Sequence, residues 1–184
     1  MPILPVGRVV FSFGVKVLES QIQTLSDRTL FNNSVYGIEE KSPSSPAVLP
    51  IYCCTILIIR MYITIMLLEK SVKDYTENDK FDVILMNPPY GGSEIEQIKK
   101  NFPTAQSSET ADLFMSVIMY RLKQNGRAAV VLPDGFCSAQ IMPSAIRKAI
   151  ENFNLHTIIR LPHSVFACSR LRLIFCFLIN RANP

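Results

Sequence analysis

One tetrapeptide carries the side chains best suited to chemistry: Asn87, Pro88, Pro89 and Tyr90. Prolines have no backbone donor, so the main-chain carbonyls around them stay available to outside donors. The Asn87 amide supplies a donor and an acceptor, and with the Pro88 carbonyl it could grip an exocyclic amine. Tyr90 could stack on the ring that carries this amine. The tetrapeptide therefore predicts a pocket for a base swung out of a duplex, although a proline turn that leaves a strand is the competing interpretation.

Apolar runs predict the strands that position this tetrapeptide, at residues 34–40, 81–87, 127–135 and 155–162. Three of the runs end in polar residues: Glu39, Asn87 and Asp134. In parallel sheets, ligands bind at the carboxyl ends of the strands, so these residues are candidates for one site. A carboxylate at a strand end is nonetheless more often only solvated, and Asp134 in Leu-Pro-Asp-Gly is a turn residue by default.

Two helices are predicted between these strands. Apolar residues recur at helical spacing over residues 107–126, where serines and acidic residues begin the helix and Gly126 closes it. Residues 144–154 predict the second helix. Alternation of strands and helices is typical of a parallel α/β sheet, which is the fold class we expect.

The composition of the 184 residues allows a sizeable core, since 48% of them are hydrophobic. A net charge of +4 fits a nucleic-acid partner and an ordinary solvated surface equally well. The five cysteines form no Cys-x-x-Cys pair and no zinc-binding spacing, which predicts reduced thiols in a cytoplasmic protein. His156 and His163 lack partner spacing, so no metal site is expected.

An apolar segment at residues 51–68 is long enough to cross a bilayer and carries a single charge, Arg60. A small membrane-anchored protein is therefore one alternative. The flanking sequences argue against it, because a proline-rich stretch precedes the segment, a charged stretch follows it, and the second end has no aromatic belt. We expect no membrane association.

The Asn-Pro-Pro-Tyr sequence after an apolar strand resembles the catalytic motif of DNA methyltransferases that act on exocyclic amines. Further blocks in the same order, within residues 82–167, resemble the modification subunit of type I restriction-modification systems. This resemblance implies transfer of a methyl group from S-adenosyl-L-methionine to N6 of a flipped adenine in DNA. It implies no covalent enzyme intermediate.

The resemblance also implies roles for individual residues. Asn87 and Pro88 would hold the amine through hydrogen bonds that turn its lone pair toward the methyl group. Pro89 completes the catalytic motif, and Tyr90 would stack on the adenine. Glu39 and Asn87 are the implied cofactor-binding residues, with the Glu39 carboxylate on the ribose hydroxyls.

A partial Rossmann-like, S-adenosylmethionine-dependent methyltransferase fold with a mostly parallel sheet follows from the same resemblance. Residues 1–184 would form a partial catalytic domain of the subunit. The implied partners are double-stranded DNA and the specificity and restriction subunits of a type I system.

The chain departs from this family at the Gly-rich cofactor loop, which is close to Asp-Pro-Ala-Cys-Gly-Thr-Gly-Gly-Phe in the family and is not found here. Codons for residues 1–11 permit this loop when they are read in a shifted frame. We therefore hypothesise that the chain translates a gene with several frameshifts. The alternative to an active enzyme is an inactive remnant that lacks the cofactor loop.

The frameshift hypothesis divides the chain into two kinds of segment. Residues 17–41 and 67–167 match the family best and are expected to be in frame. The remaining segments are expected to be out of frame: 1–16, 42–66 and 168–184.

Overall fold

A computed structural model describes residues 3–6, 16–35, 37–38, 62–63, 68–88, 93, 96–103, 109–137, 151, 153–162 and 172–181. Within these residues the strands are β1 (Ile3–Val6), β2 (Gly37–Ile38), β3 (Tyr62–Ile63), β4 (Phe81–Met86), β5 (Leu122–Pro133), β6 (Phe153–Arg160) and β7 (Leu173–Asn180). The α-helices are α1 (Leu25–Ser34), α2 (Glu96–Lys99) and α3 (Thr110–Arg121). Residues 16–19 are helical as well, and there are 3₁₀ turns at Val72–Asp74, Glu77–Asp79 and Asp134–Cys137.

Five of the strands form one sheet in the order β1-β4-β5-β7-β6. β4 is parallel to both β1 and β5, whereas β7 is antiparallel to both β5 and β6. Four of the five strands therefore run in the same direction, and β7 alone runs in the opposite one. β2 and β3 form a separate parallel pair, and β2 contacts β1. The predicted α/β fold with a mostly parallel sheet is confirmed.

The predicted strands all have a counterpart in this fold. Residues 81–87 contain β4, residues 127–135 overlap β5, residues 155–162 overlap β6, and residues 34–40 contain the two-residue β2. The second predicted helix, 144–154, lies largely outside the described residues, and its last two residues belong to β6.

The core lies around α3, which is buried on all sides. Leu113, Phe114, Val117 and Ile118 are each at most 1% exposed. A helix that is buried around most of its circumference is typical of the interior of a fold and not of its surface. The polar Ser116 is accommodated because its hydroxyl donates to the Asp112 carbonyl at 3.2 Å. The helical spacing predicted from these apolar residues is confirmed.

The predicted end of this helix at Gly126 is wrong. α3 ends at Arg121, and Leu122 already pairs with Phe81 of β4. The next described pair is Val83 with Arg127, so residues 123–126 bulge out of the strand. Pairing with β4 ends the helix early, and the Asn180 amide holds the junction by donating to the carbonyls of Leu122 and Lys123 at 3.0 and 3.1 Å.

The bulge requires glycine at position 126. A Cβ there would lie 2.8 Å from the Lys123 carbonyl oxygen and 3.1 Å from the Asp82 carbonyl oxygen. We expect Gly126→Ala to lower the free energy of unfolding by about 1–3 kcal/mol, because backbone atoms would have to move. Urea denaturation measures the change, and Gln124→Ala at an exposed position of the same bulge is the control. Equal midpoints for Gly126→Ala and the wild type would contradict the prediction.

A second junction lies at the start of β4, where Arg121 is buried between two aromatic rings. Its guanidinium carbon is 4.8 Å from the centroid of Tyr75 and 4.7 Å from that of Phe81. Its Nε donates to the Asp79 carbonyl at 3.2 Å. Burial raises the pKa of Tyr75 and lowers the pKa of Arg121, although each group partly opposes the shift of the other. This cluster ties the end of α3 to the start of β4.

The Asp79 carboxylate, which lies beside this cluster, forms a contact with Thr76 that we expect to be sensitive to acid. It accepts hydrogen bonds from the Thr76 backbone N–H at 2.9 Å and from the Thr76 hydroxyl at 2.8 Å. These bonds, the backbone one foremost, lower the pKa of Asp79 from its ordinary value of 3.8. Because the folded state favours the charged form, this stabilisation is present above pH 3.8 and is lost as the pH falls through the lowered pKa.

We therefore expect the free energy of unfolding to fall on acidification below about pH 4, with a smaller fall in Asp79→Asn. Denaturant titrations at several pH values between 2 and 7 would measure how steeply the free energy of unfolding falls with pH in the wild type and in Asp79→Asn. Asp74→Asn, which changes an exposed carboxylate on the preceding 3₁₀ turn, is the control. An acid slope that is the same in Asp79→Asn and the wild type would show that the contact contributes nothing.

Candidate functional site

The candidate site lies at the carboxyl edge of the sheet, where β4 ends. Asn87 follows the last residue of β4 directly and is partly exposed, while Pro88 is buried. β4 and β5 are parallel, with Met86 opposite Val130, so Asn87 and Asp134 leave the sheet at the same edge. The predicted residues Pro89, Tyr90 and Glu39 lie outside the described residues.

The order of the strands gives this edge its significance. The chain runs from β1 to the β2–β3 pair, which contacts β1, and then returns to place β4 against β1. The crevice between two strands at such a reversal is where open α/β sheets bind ligands. Val6 at the end of β1 is level with Met86, so Asn87 lies beside this crevice.

Asp134 and Arg160 form an ion pair farther along the same edge. The Arg160 Nε donates to the Asp134 Oδ1 at 3.1 Å. The backbone N–H of Asp134 donates to the Arg172 carbonyl at 2.8 Å, which joins the end of β5 to the residue before β7. Asp134 therefore begins a turn, as predicted, and its carboxylate also pairs with the Arg160 guanidinium. No motif in the sequence marks Arg160, although it ends its strand as Asn87 and Asp134 follow theirs.

Other ionisable side chains of the described residues have contacts that explain them without a role in the site. Asp82 lies within β4 and pairs with Lys123 at 3.0 Å. His156 is exposed, with its Nδ1 2.8 Å from the Thr157 hydroxyl, and His163 lies outside the described residues. Cys176 is a buried free thiol, and no group of three metal-ligating side chains occurs among the residues that the structure describes.

The sequence profile of the N-6 DNA methylase family matches residues 16–183. The chain belongs to this family. The match agrees with the resemblance found in the sequence, and it does not favour the inactive remnant over the enzyme. The frameshift hypothesis and its segment boundaries stay a prediction.

The relatives of this chain include methylase subunits of type I restriction enzymes. The EcoEI methylase subunit of Escherichia coli is 38% identical over 159 residues, which are 82% of this chain and 31% of that protein. The EcoKI methylase subunit of Escherichia coli K12 is 34% identical over 108 residues, which are 57% of this chain and 20% of that protein. The chain therefore spans a third or less of the length of these relatives.

A solved structure supports the same assignment. A modification subunit assigned to a type I restriction enzyme of Vibrio vulnificus is 30% identical and superposes with a TM-score of 0.74, covering 97% of this chain and 40% of that protein. The EcoKI M protein shares the fold, with a TM-score of 0.67 at 19% identity, over 97% of this chain and 40% of that one.

The described helices bear on the membrane alternative. Among the residues given a position in the structure, no helix is long and apolar enough to cross a bilayer. Most of the apolar segment at 51–68, including Arg60, lies outside that part of the chain.

The described part of the crevice between β1 and β4 offers one hydrogen-bonding side chain to a nucleotide-like cofactor. Both strands end there, and the first polar side chain beyond them is the neutral amide of Asn87, which can donate and accept hydrogen bonds. A Listeria monocytogenes protein that shares this fold, with a TM-score of 0.56 at 17% identity, is by name assigned as a class I S-adenosylmethionine-dependent methyltransferase. Residues 7–15, which follow β1, lie outside the described residues.

Proposed function

We propose that this chain transfers a methyl group from S-adenosylmethionine to N6 of adenine in DNA, as the methyltransferase subunit of a type I restriction-modification system. One observation carries the proposal: Asn87 follows β4 directly, beside the crevice where the strand order reverses. Membership of the N-6 DNA methylase family supports the same chemistry.

Asn87 and Pro88 would bind the amine of a flipped adenine. The Asn87 Oδ1 accepts one amine hydrogen and the Pro88 carbonyl accepts the other, which localises the nitrogen lone pair. S-adenosylmethionine, when bound, supplies an electrophilic methyl group. Transfer of that methyl group would join it to the adenine nitrogen and leave the S–C electron pair on sulfur as S-adenosylhomocysteine. One amine proton held by Asn87 or Pro88 would pass to water. In this proposal Pro89 restrains the turn and Tyr90 stacks on the base.

The remaining roles complete this proposal. The Glu39 carboxylate binds the ribose hydroxyls of the cofactor, and the partners are double-stranded DNA and the specificity and restriction subunits. The EcoEI relative is by name a methylase subunit of a type I restriction enzyme, which supports this assembly. A cytoplasmic location follows from the need to reach DNA.

Methyl transfer to DNA tests the proposal directly. The chain is incubated together with the specificity subunit of its system, duplex DNA free of N6-methyladenine and S-adenosylmethionine labelled in the methyl group. The digested nucleosides are then separated. We expect the label in N6-methyl-2′-deoxyadenosine. Label in a methylated cytosine, or no label in any nucleoside, would overturn the proposed function.

A further inference from the structure

Two arginines lie at the same edge of the sheet as Asn87, near the strand ends of β6 and β7. Arg160 ends β6, and Arg172 comes just before β7, which runs in the opposite direction and so begins at this edge. The Arg160 side chain is 79% exposed, and Arg172 is exposed as well. Both charges are therefore accessible to a large anion.

The contact of Arg160 with Asp134 orients its side chain. Asp134 is the less exposed partner, at 23%, and its backbone is bonded to the Arg172 carbonyl. An ion pair with so exposed an arginine stabilises a fold little, because water screens it. It does restrict the direction of the Arg160 side chain, and only the Nε of the guanidinium is used in this bond. A guanidinium can bind a phosphate through two parallel N–H···O bonds, and the Asp134 contact uses only one of its nitrogens.

The sheet register gives the spacing between Asn87 and Arg160. Met86 lies opposite Val130, so Asn87 is level with the next residue of β5, Val131. Val131 lies opposite Phe175 of β7. Phe175 in turn lies opposite Ile159, the residue before Arg160. Three strand spacings amount to about 14 Å. One DNA strand advances about 3.4 Å per nucleotide, so this distance corresponds to about four nucleotides.

We propose that Arg160 and Arg172 bind backbone phosphates of the DNA, with Arg160 about four nucleotides from the adenine that Asn87 holds and with Asp134 as the residue that positions Arg160. This inference rests on the proposed function, because it takes DNA to be the molecule that covers this edge. The two contacts carry no base specificity. They align the duplex so that the target base reaches the end of β4.

The salt dependence of DNA binding tests the contacts separately from catalysis. Each phosphate contact contributes about 0.9 to the slope of log K against log salt concentration. We expect Arg160→Ala and Arg172→Ala each to reduce the magnitude of the slope by about 0.9, and the double variant by about 1.8. The affinity difference between the wild type and Arg160→Ala should then shrink roughly 3.5-fold between 50 and 200 mM salt.

Matched variants separate a contact from a general loss of charge. Arg181→Ala removes an exposed arginine just after the other end of β7, at the opposite edge of the sheet, and should leave the slope unchanged. Arg160→Lys keeps the charge and should keep the slope. The measurements use unmethylated duplex and no cofactor, so they report binding alone.

The possible outcomes distinguish this inference from the proposed function. Three results would overturn the phosphate contacts. The first is a salt slope in the double variant equal to that of the wild type, and the second is a reduction of the salt slope in Arg181→Ala as large as in Arg160→Ala. The third is no binding of duplex DNA by the wild type. The predicted slopes in a chain that transfers no methyl group would support the contacts and overturn the proposed methyl transfer.

Discussion

Asn87→Ala is expected to lower the rate of methyl transfer by about 10²- to 10³-fold, which is the cost of removing one pre-positioned hydrogen-bonding group from a reacting centre. The alanine cannot accept the amine hydrogen, so the nitrogen lone pair is no longer localised toward the methyl group. Asn87 follows β4 at the crevice and lies outside the strand and its described pairs with β5.

The loss should be confined to the chemical step. Single-turnover transfer of labelled methyl groups measures the rate, and duplex binding measures whether the DNA still docks. Asn33→Ala, at an exposed position of α1, is the matched control and should behave as the wild type. Asn87→Asp keeps the acceptor oxygen and should retain more activity than Asn87→Ala. Full activity of Asn87→Ala would remove Asn87 from the proposed mechanism.

Arg121→Ala is expected to lower the free energy of unfolding by about 3 kcal/mol, although Arg121 lies far from the carboxyl edge. The substitution removes a side chain that is only 8% exposed and opens a cavity between Tyr75 and Phe81. It also removes the donor to the Asp79 carbonyl. The start of β4 and the end of α3 are then no longer joined by Arg121.

Arg121→Met separates packing from charge. The methionine side chain fills much of the same volume between the rings but has no charge and no donor. If packing dominates, Arg121→Met recovers more than half of the stability that Arg121→Ala loses in urea denaturation. Equal losses in the two variants would assign the effect to the cation and its hydrogen bond. A loss below about 1 kcal/mol in Arg121→Ala would show that the cluster is not needed for the fold.

Local sequence was sufficient for the parts of the fold that depend on local chemistry. The apolar run before Asn87 predicts a buried strand, and the prolines after it cannot continue a ladder, so the strand end and the candidate residues at it are predictable. The spacing of Leu113, Phe114, Val117 and Ile118 predicts α3 in the same way. The family follows from the resemblance of these blocks, and the profile match confirms it.

The end of α3 shows where local sequence misleads. Residues 122–125 continue a pattern compatible with a helix, and glycine at position 126 is a common helix terminator. Leu122 nevertheless leaves the helix, because pairing with Phe81 and burial in the core outweigh another turn of helix. A contact between residues 41 positions apart cannot be inferred from either segment alone.

By itself the sequence determined the types of the main elements, the family, and the position of Asn87 at the end of an apolar strand. Tertiary structure alone decided that β7 lies between β5 and β6, that Arg121 lies between two rings, and that Arg160 pairs with Asp134 at the edge that carries Asn87. The physical reason is the range of the interactions. Backbone restrictions and side-chain periodicity act between neighbours in the chain, whereas strand order and ion pairs depend on residues that only folding brings together.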